Sequence, residues 1–130
     1  MFSKLIKNAT VVNEGTSKVL DVLIKNGRIE RIDSNIQPSG NCEEINAEGL
    51  YLVPGVIDDQ VHFREPGLTH KANIRTEARA AVAGGTTTFM EMPNTVPAAL
   101  TQELLEDKYS IAADCSVANY SFFMGVSNTN

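Results

Sequence analysis

The feature that most constrains this chain is an alternation of elements that begins at Pro54-Gly55. Residues 56–63 form a strand-like run, and residues 67–71 form a loop. Residues 73–83 are expected to be helical: Ala78, Ala80, Ala81 and Ala83 favour helix, and Ile74, Ala78 and Ala81 recur at helical spacing. Gly84-Gly85 supplies the stop. Residues 86–92 are rich in β-branched side chains, and Pro93 closes that run. Thr101 can cap a helix over 102–113, with Leu104, Leu105 and Ile111 on or near one apolar side. Residues 115–125 read as a further strand. The order is β-α-β-α-β. Alternation at this spacing implies a parallel sheet, and right-handed crossovers place its three strands side by side with the helices outside.

The residues before this point have another texture. Runs at 5–12, 19–24 and 28–32 read as strands. Asn26-Gly27 between the last two predicts a type I′ hairpin, which needs positive φ at both central residues. Pro38, Ser39 and Gly40 mark a loop. Glu43–Asn46 and residues 50–53 are two more short strands. Residues 1–53 are thus expected to be a small antiparallel β domain serving as scaffold, and residues 54–130 an α/β domain.

Charge narrows the partners. Eleven Lys and Arg face sixteen Asp and Glu, for a net charge of −5. An acidic chain with scattered basic residues is a poor binder of nucleic acid. No apolar run approaches the roughly 18–20 residues that span a bilayer, so no membrane partner is expected. Lys4, Lys7 and Asn8 interrupt the first residues, which excludes a signal-peptide core. A cytoplasmic chain follows, with Cys42 and Cys115 as reduced thiols.

The chemistry gathers on the run at 56–63. Strand alternation puts Asp58, Gln60, His62 and Arg64 on one face, with Asp59, Val61 and Phe63 on the other. Four polar side chains in register on a buried strand are costly unless they pair, bind metal or meet a ligand. They collect at the C-terminal end of the strand, where active sites sit in parallel α/β barrels. Each residue also has a plainer reading: His62 as a hydrogen-bonded core histidine, Arg64 in a surface ion pair with Glu65, Asp58 bonded to loop amides, Asn94 as a turn residue. Glu91 lies at a strand end but alternates away from Met90 and Met92, and His70 reads as an exposed loop residue.

Three segments carry a resemblance. Pro54-Gly55-Val56-Ile57-Asp58-Asp59-Gln60-Val61-His62-Phe63-Arg64-Glu65-Pro66-Gly67 resembles the first-strand motif of dihydroorotases in the amidohydrolase superfamily. Ala83-Gly84-Gly85-Thr86-Thr87-Thr88 is similar to that family's helix-to-strand turn, and Met92-Pro93-Asn94-Thr95 to its second-strand motif. The resemblance implies the fold class: α/β, an incomplete TIM (β/α)8 barrel of the metal-dependent hydrolase type, preceded by a small N-terminal β-sandwich unit. It also implies reversible hydrolysis of dihydroorotate to N-carbamoyl-L-aspartate in pyrimidine biosynthesis, in a homodimer when full length. Allantoinases are similar but usually carry Asn where Arg64 stands, and dihydropyrimidinases lack the Arg-Glu-Pro-Gly arrangement. A guanidinium fork pairs with a carboxylate, which dihydroorotate has and allantoin lacks. The resemblance accordingly assigns Arg64 and Asn94 to substrate binding.

The family's zinc is held in part by an H-x-H pair on the first strand. Here His62 is present and Gln60 replaces the other histidine. A neutral amide oxygen is a weaker zinc ligand than imidazole. Three outcomes stand open: altered coordination at His62 and Gln60, one zinc instead of two, or a non-catalytic dihydroorotase-like subunit. Asp58 is expected to orient a ligand from behind. A closed barrel takes about 250 residues. Residues 54–130 supply three strands and two helices, so the chain is expected to be the N-terminal part of a longer protein. No catalytic residue is expected within it. The catalytic carboxylate and further zinc ligands are expected beyond Asn130, and turnover and orderly behaviour are not expected of the fragment alone.

Overall fold

The computed structural model describes residues 3–128 and 130. They fall into two compact units, Met1–Pro54 and Gly55–Asn130. In the first unit, β1 (Ser3–Asn13), β2 (Thr16–Lys25), β3 (Arg28–Asp33), β4 (Glu43–Asn46) and β5 (Tyr51–Leu52) make one five-stranded sheet. The strands β1, β2 and β3 run antiparallel, joined by the expected hairpin with Asn26 at φ 51° and Gly27 at φ 75°. The all-antiparallel expectation is overturned by β4 and β5, which both pair parallel to β1. The loop between β3 and β4 is long enough to return the chain to the far edge of β1 in the same direction. Leu5, Leu23 and Ile36 form the core of this unit, with Cys42 against it. A bulge at Lys7 and Asn8 interrupts the register of β1. Buried Asp21 holds it: one carboxylate oxygen accepts the Asn8 amide and the other the Ile36 amide, each at 2.9 Å.

The second unit is a three-stranded parallel sheet in the order β6 (Val56–Val61), β7 (Thr86–Glu91), β8 (Asn119–Phe122). Its helices are α1 (Ile74–Ala83) and α2 (Gln102–Cys115). Asn73 caps α1 by accepting the Thr76 amide at 2.9 Å, and Thr101 caps α2 through the Leu104 amide at 3.3 Å. Each cap satisfies an amide that the first helical turn leaves unpartnered. Gly84 ends α1 and Gly85 follows at φ 94°, a conformation suited to glycine. The core between helices and sheet is Phe63, Ile74, Ala78, Phe89, Ala112, Ala118 and Phe122. Phe63 and Phe89 lie 4.5 Å apart, and Tyr109 meets Phe122 edge-on at 4.9 Å.

The third strand differs from expectation. Helix α2 runs on through Cys115, and Ser116 and Ala118 close a small turn through the Ser116 hydroxyl. The strand therefore starts only at Asn119. Among the described residues, β6 lies at the edge of the sheet beside β7, and Val56 and Ile57 are 52% and 66% exposed. Only Val61 and the following Phe63 pack into the core. The central strand β7 is the buried one, with Phe89 and Glu91 almost fully enclosed.

Candidate active site at the strand ends

The ends of β6 and β7 bring two of the expected residues into contact. His62 Nδ1 and Asn94 Oδ1 are 2.9 Å apart, linking segments 32 positions apart in the chain. With the amide oxygen as acceptor, Nδ1 carries the proton of this bond. His62 is exposed and is not a core histidine. The loop that follows it is built residue by residue. Arg64 sits at φ 72°, left-handed for a residue with a side chain, and its amide donates to Glu91 Oε1 at 2.9 Å. The Glu65 carboxylate does not pair with Arg64; it accepts the Ile74 amide at 2.8 Å, at the start of α1. The Pro66 carbonyl accepts the Val96 amide at 3.1 Å. Gly67, at φ 82°, passes so close to the Val96 carbonyl that a Cβ there would collide with it. The Leu68 amide returns to the Arg64 carbonyl at 3.0 Å. The Arg-Glu-Pro-Gly run is thus a rigid platform locked onto the loop that carries Asn94.

The four-residue polar face predicted from simple alternation is corrected by the register. Asp58 pairs with Phe89 and Val61 with Glu91, so Asp59 and Gln60 together oppose Met90. One extra residue in a strand resets the alternation. Asp58 falls out of phase with Gln60 and His62, and its carboxylate accepts the Gln60 amide at 3.2 Å within the bulge. Gln60, in the bulge, and His62, beyond it, remain two apart.

Sequence reasoning missed the buried pair beneath this platform. Glu91 and Lys108 are 1% and 0% exposed, with Lys108 Nζ 3.1 Å from Glu91 Oε2. Lys108 Nζ also donates to the Met92 carbonyl at 3.0 Å and lies over the Phe122 ring at 5.1 Å. Burial pushes the Glu91 carboxyl up, against the pull of Lys108; burial pushes the Lys108 amine down, against the pull of Glu91. A signal was present: Leu105, Lys108, Ala112 and Cys115 share one helical stripe, so Lys108 stands where an apolar residue belongs. His70 is exposed, as expected.

The donor set does not by itself fit zinc. A structural or catalytic zinc takes three or four His, Cys or carboxylate ligands. No group of three or more such side chains comes together among the described residues. His62 offers one imidazole, already bonded through Nδ1, beside the neutral amide of Gln60. No helix among the described residues is long and apolar enough to cross a membrane.

The chain is similar to known proteins. The chain is 48% identical over 96 residues to a dihydroorotase of Sulfurihydrogenibium sp. (strain YO3AOP1), covering 72% of this chain and 23% of that protein. It is 39% identical over 112 residues to an allantoinase of Salmonella choleraesuis (strain SC-B67), covering 85% of this chain and 24% of that one. Among solved structures, the L-hydantoinase (dihydropyrimidinase) of Arthrobacter aurescens superposes with a TM-score of 0.92 at 26% identity, over 99% of this chain and 29% of that chain. The chain thus spans about a quarter of the length of the curated relatives it matches. Residues 49–126, which include both strand-end motifs, match the family described as dihydro-orotase-like, and the chain belongs to that family.

Proposed function

We propose that this chain supplies the substrate-carboxylate edge of a dihydroorotase, which interconverts dihydroorotate and N-carbamoyl-L-aspartate in cytoplasmic pyrimidine biosynthesis. The observation that carries the reading is the 2.9 Å contact of His62 with Asn94 beside the locked Arg64 loop. Arg64 contributes a planar fork suited to a carboxylate, and Asn94 an amide that can donate through its nitrogen while its oxygen holds His62. Fixing a ring by its carboxylate orients the amide to be cleaved. Arg64 favours dihydroorotate over uncharged allantoin. We assign Asp58 to holding the β6 bulge that presents Gln60 and His62. The two units then belong to a (β/α)8 barrel and a β-sandwich, in a homodimer, and these 130 residues alone do not turn over substrate.

One imidazole and one amide supply fewer than the three or four ligands that a zinc takes. The replacement of the family's histidine by Gln60 favours a second reading: a dihydroorotase-like subunit that binds the substrate shape without catalysis. The experiment for the first reading is calorimetric titration of N-carbamoyl-L-aspartate, with allantoin as the uncharged control. Binding of the first alone, lost in Arg64→Gln, supports it; equal binding of both, or no effect of the substitution, refutes it. Metal content and dihydroorotate hydrolysis of the full-length wild-type protein beside its Gln60→His variant separate the two readings. Hydrolysis by the wild type refutes the non-catalytic one, and failure of both proteins to hydrolyse refutes the enzymatic one.

A further inference from the structure

The buried Glu91–Lys108 pair has no place in the function proposed above, yet its outward bonds run to both sides of the site. Glu91 Oε1 accepts the amide of Arg64, at the root of the loop after β6. Lys108 Nζ donates to the carbonyl of Met92, at the root of the loop after β7. One ion pair of 3.1 Å therefore joins the backbones from which Arg64 and Asn94 project. We propose that Glu91 and Lys108 are positioning residues that set Arg64 and Asn94 relative to each other for carboxylate binding, an inference that rests on the reading above.

Three features point beyond core filling. Apolar residues of the same volume would fill this space at least as well as an ion pair does. The Glu91 carboxylate holds Arg64 in a left-handed conformation that a residue with a side chain adopts at a cost. Each member of the pair faces its partner across a 3.1 Å ion pair and bonds to a different loop root, so the pair ties the two roots together.

The test is the double variant Glu91→Leu/Lys108→Met in the intact protein, which replaces the pair by apolar volume. Thermal unfolding, amide hydrogen exchange, nitrogen NMR of the His62 ring and titration of N-carbamoyl-L-aspartate are compared with the wild type. The expected result is a folded variant whose Arg64 amide exchanges about tenfold faster or more, the loss of one charge-assisted bond. The His62 ring loses the signature of its bond to Asn94, and binding weakens by about tenfold or more. A folded variant with Arg64 exchange, ring signal and binding all unchanged overturns the proposal. Should the double variant fail to fold, Lys108→Met decides: loss of the His62–Asn94 signature with Arg64 still protected supports the proposal, and an unchanged signature overturns it. A wild type that does not bind N-carbamoyl-L-aspartate refutes the functional reading instead, while exchange and ring signals still judge the positioning claim.

Discussion

Replacing Lys108 by Met tests how the buried pair contributes to stability. The substitution keeps the aliphatic stem and removes the charge 3.1 Å from Glu91 and the bond to the Met92 carbonyl. Breaking a buried pair typically costs about 3–5 kcal/mol, because a charge is left uncompensated. Glu91 has an escape: it can take up a proton. In the unfolded chain its carboxyl has the ordinary value of 4.5. Protonating it at pH 7 costs about 1.36 kcal/mol for each unit above that value, or about 3.4 kcal/mol. At pH 5 the same step costs only about 0.7 kcal/mol. A carboxyl raised on folding weakens the fold as pH rises above its unfolded value, and the loss is complete above its folded value. Burial already raises Glu91 in the wild type, so part of this slope is shared. The gap between variant and wild type is therefore expected to widen by up to about 2.7 kcal/mol between pH 5 and pH 7. Urea denaturation at several pH values measures it, at a sensitivity of about 1–3 kcal/mol per molar. A gap that is constant with pH, or that widens toward acid, would refute the reasoning.

Other positions give sharper single answers. Asp21→Asn is nearly isosteric but leaves one acceptor for two inward-pointing amides, so a loss of about 1–3 kcal/mol in the same denaturation assay is expected; full stability would show that Asp21 does not hold the bulge. Gly67→Ala places a Cβ against the Val96 carbonyl at positive φ, and should cost at least about 1–3 kcal/mol while displacing Asn94 in chemical-shift maps. For Cys115, burial first and Glu65 second push the thiol above its ordinary value of 9.0, so alkylation of Cys115 should reach half its maximal rate above pH 9. A midpoint below 9 would contradict that burial.

Much of the fold was legible because its signals are local. Asn26-Gly27 fixes a hairpin through the φ values that only such residues adopt readily, and Thr101 announces a helix start by capping. The direction of β4 and β5 is set by how a loop returns the chain to β1, for which a four- or two-residue strand carries no pattern. The β6 bulge was invisible for a similar reason. Alternation assumes one residue per step, and the step at Asp59 and Gln60 is decided by pairing with β7, a strand 25 or more residues away.

The site divides along the same line, and the division bears on how its residues should be tested. His62 and Asn94 were singled out by type and position, and they meet at 2.9 Å because parallel neighbours end side by side. Arg64 and Glu65 looked like partners because they adjoin. The structure sends the Arg64 amide to Glu91 and the Glu65 carboxylate to Ile74, each satisfying a backbone group that the tight loop strands. A motif that reads as ligand chemistry therefore also carries its own scaffold. Glu65→Gln should perturb the start of α1 before it perturbs binding, whereas Arg64→Gln removes the guanidinium and leaves the amide bond to Glu91 in place. Only the second substitution reports on substrate recognition. Binding lost equally in both would trace the effect to the loop, and not to the carboxylate fork.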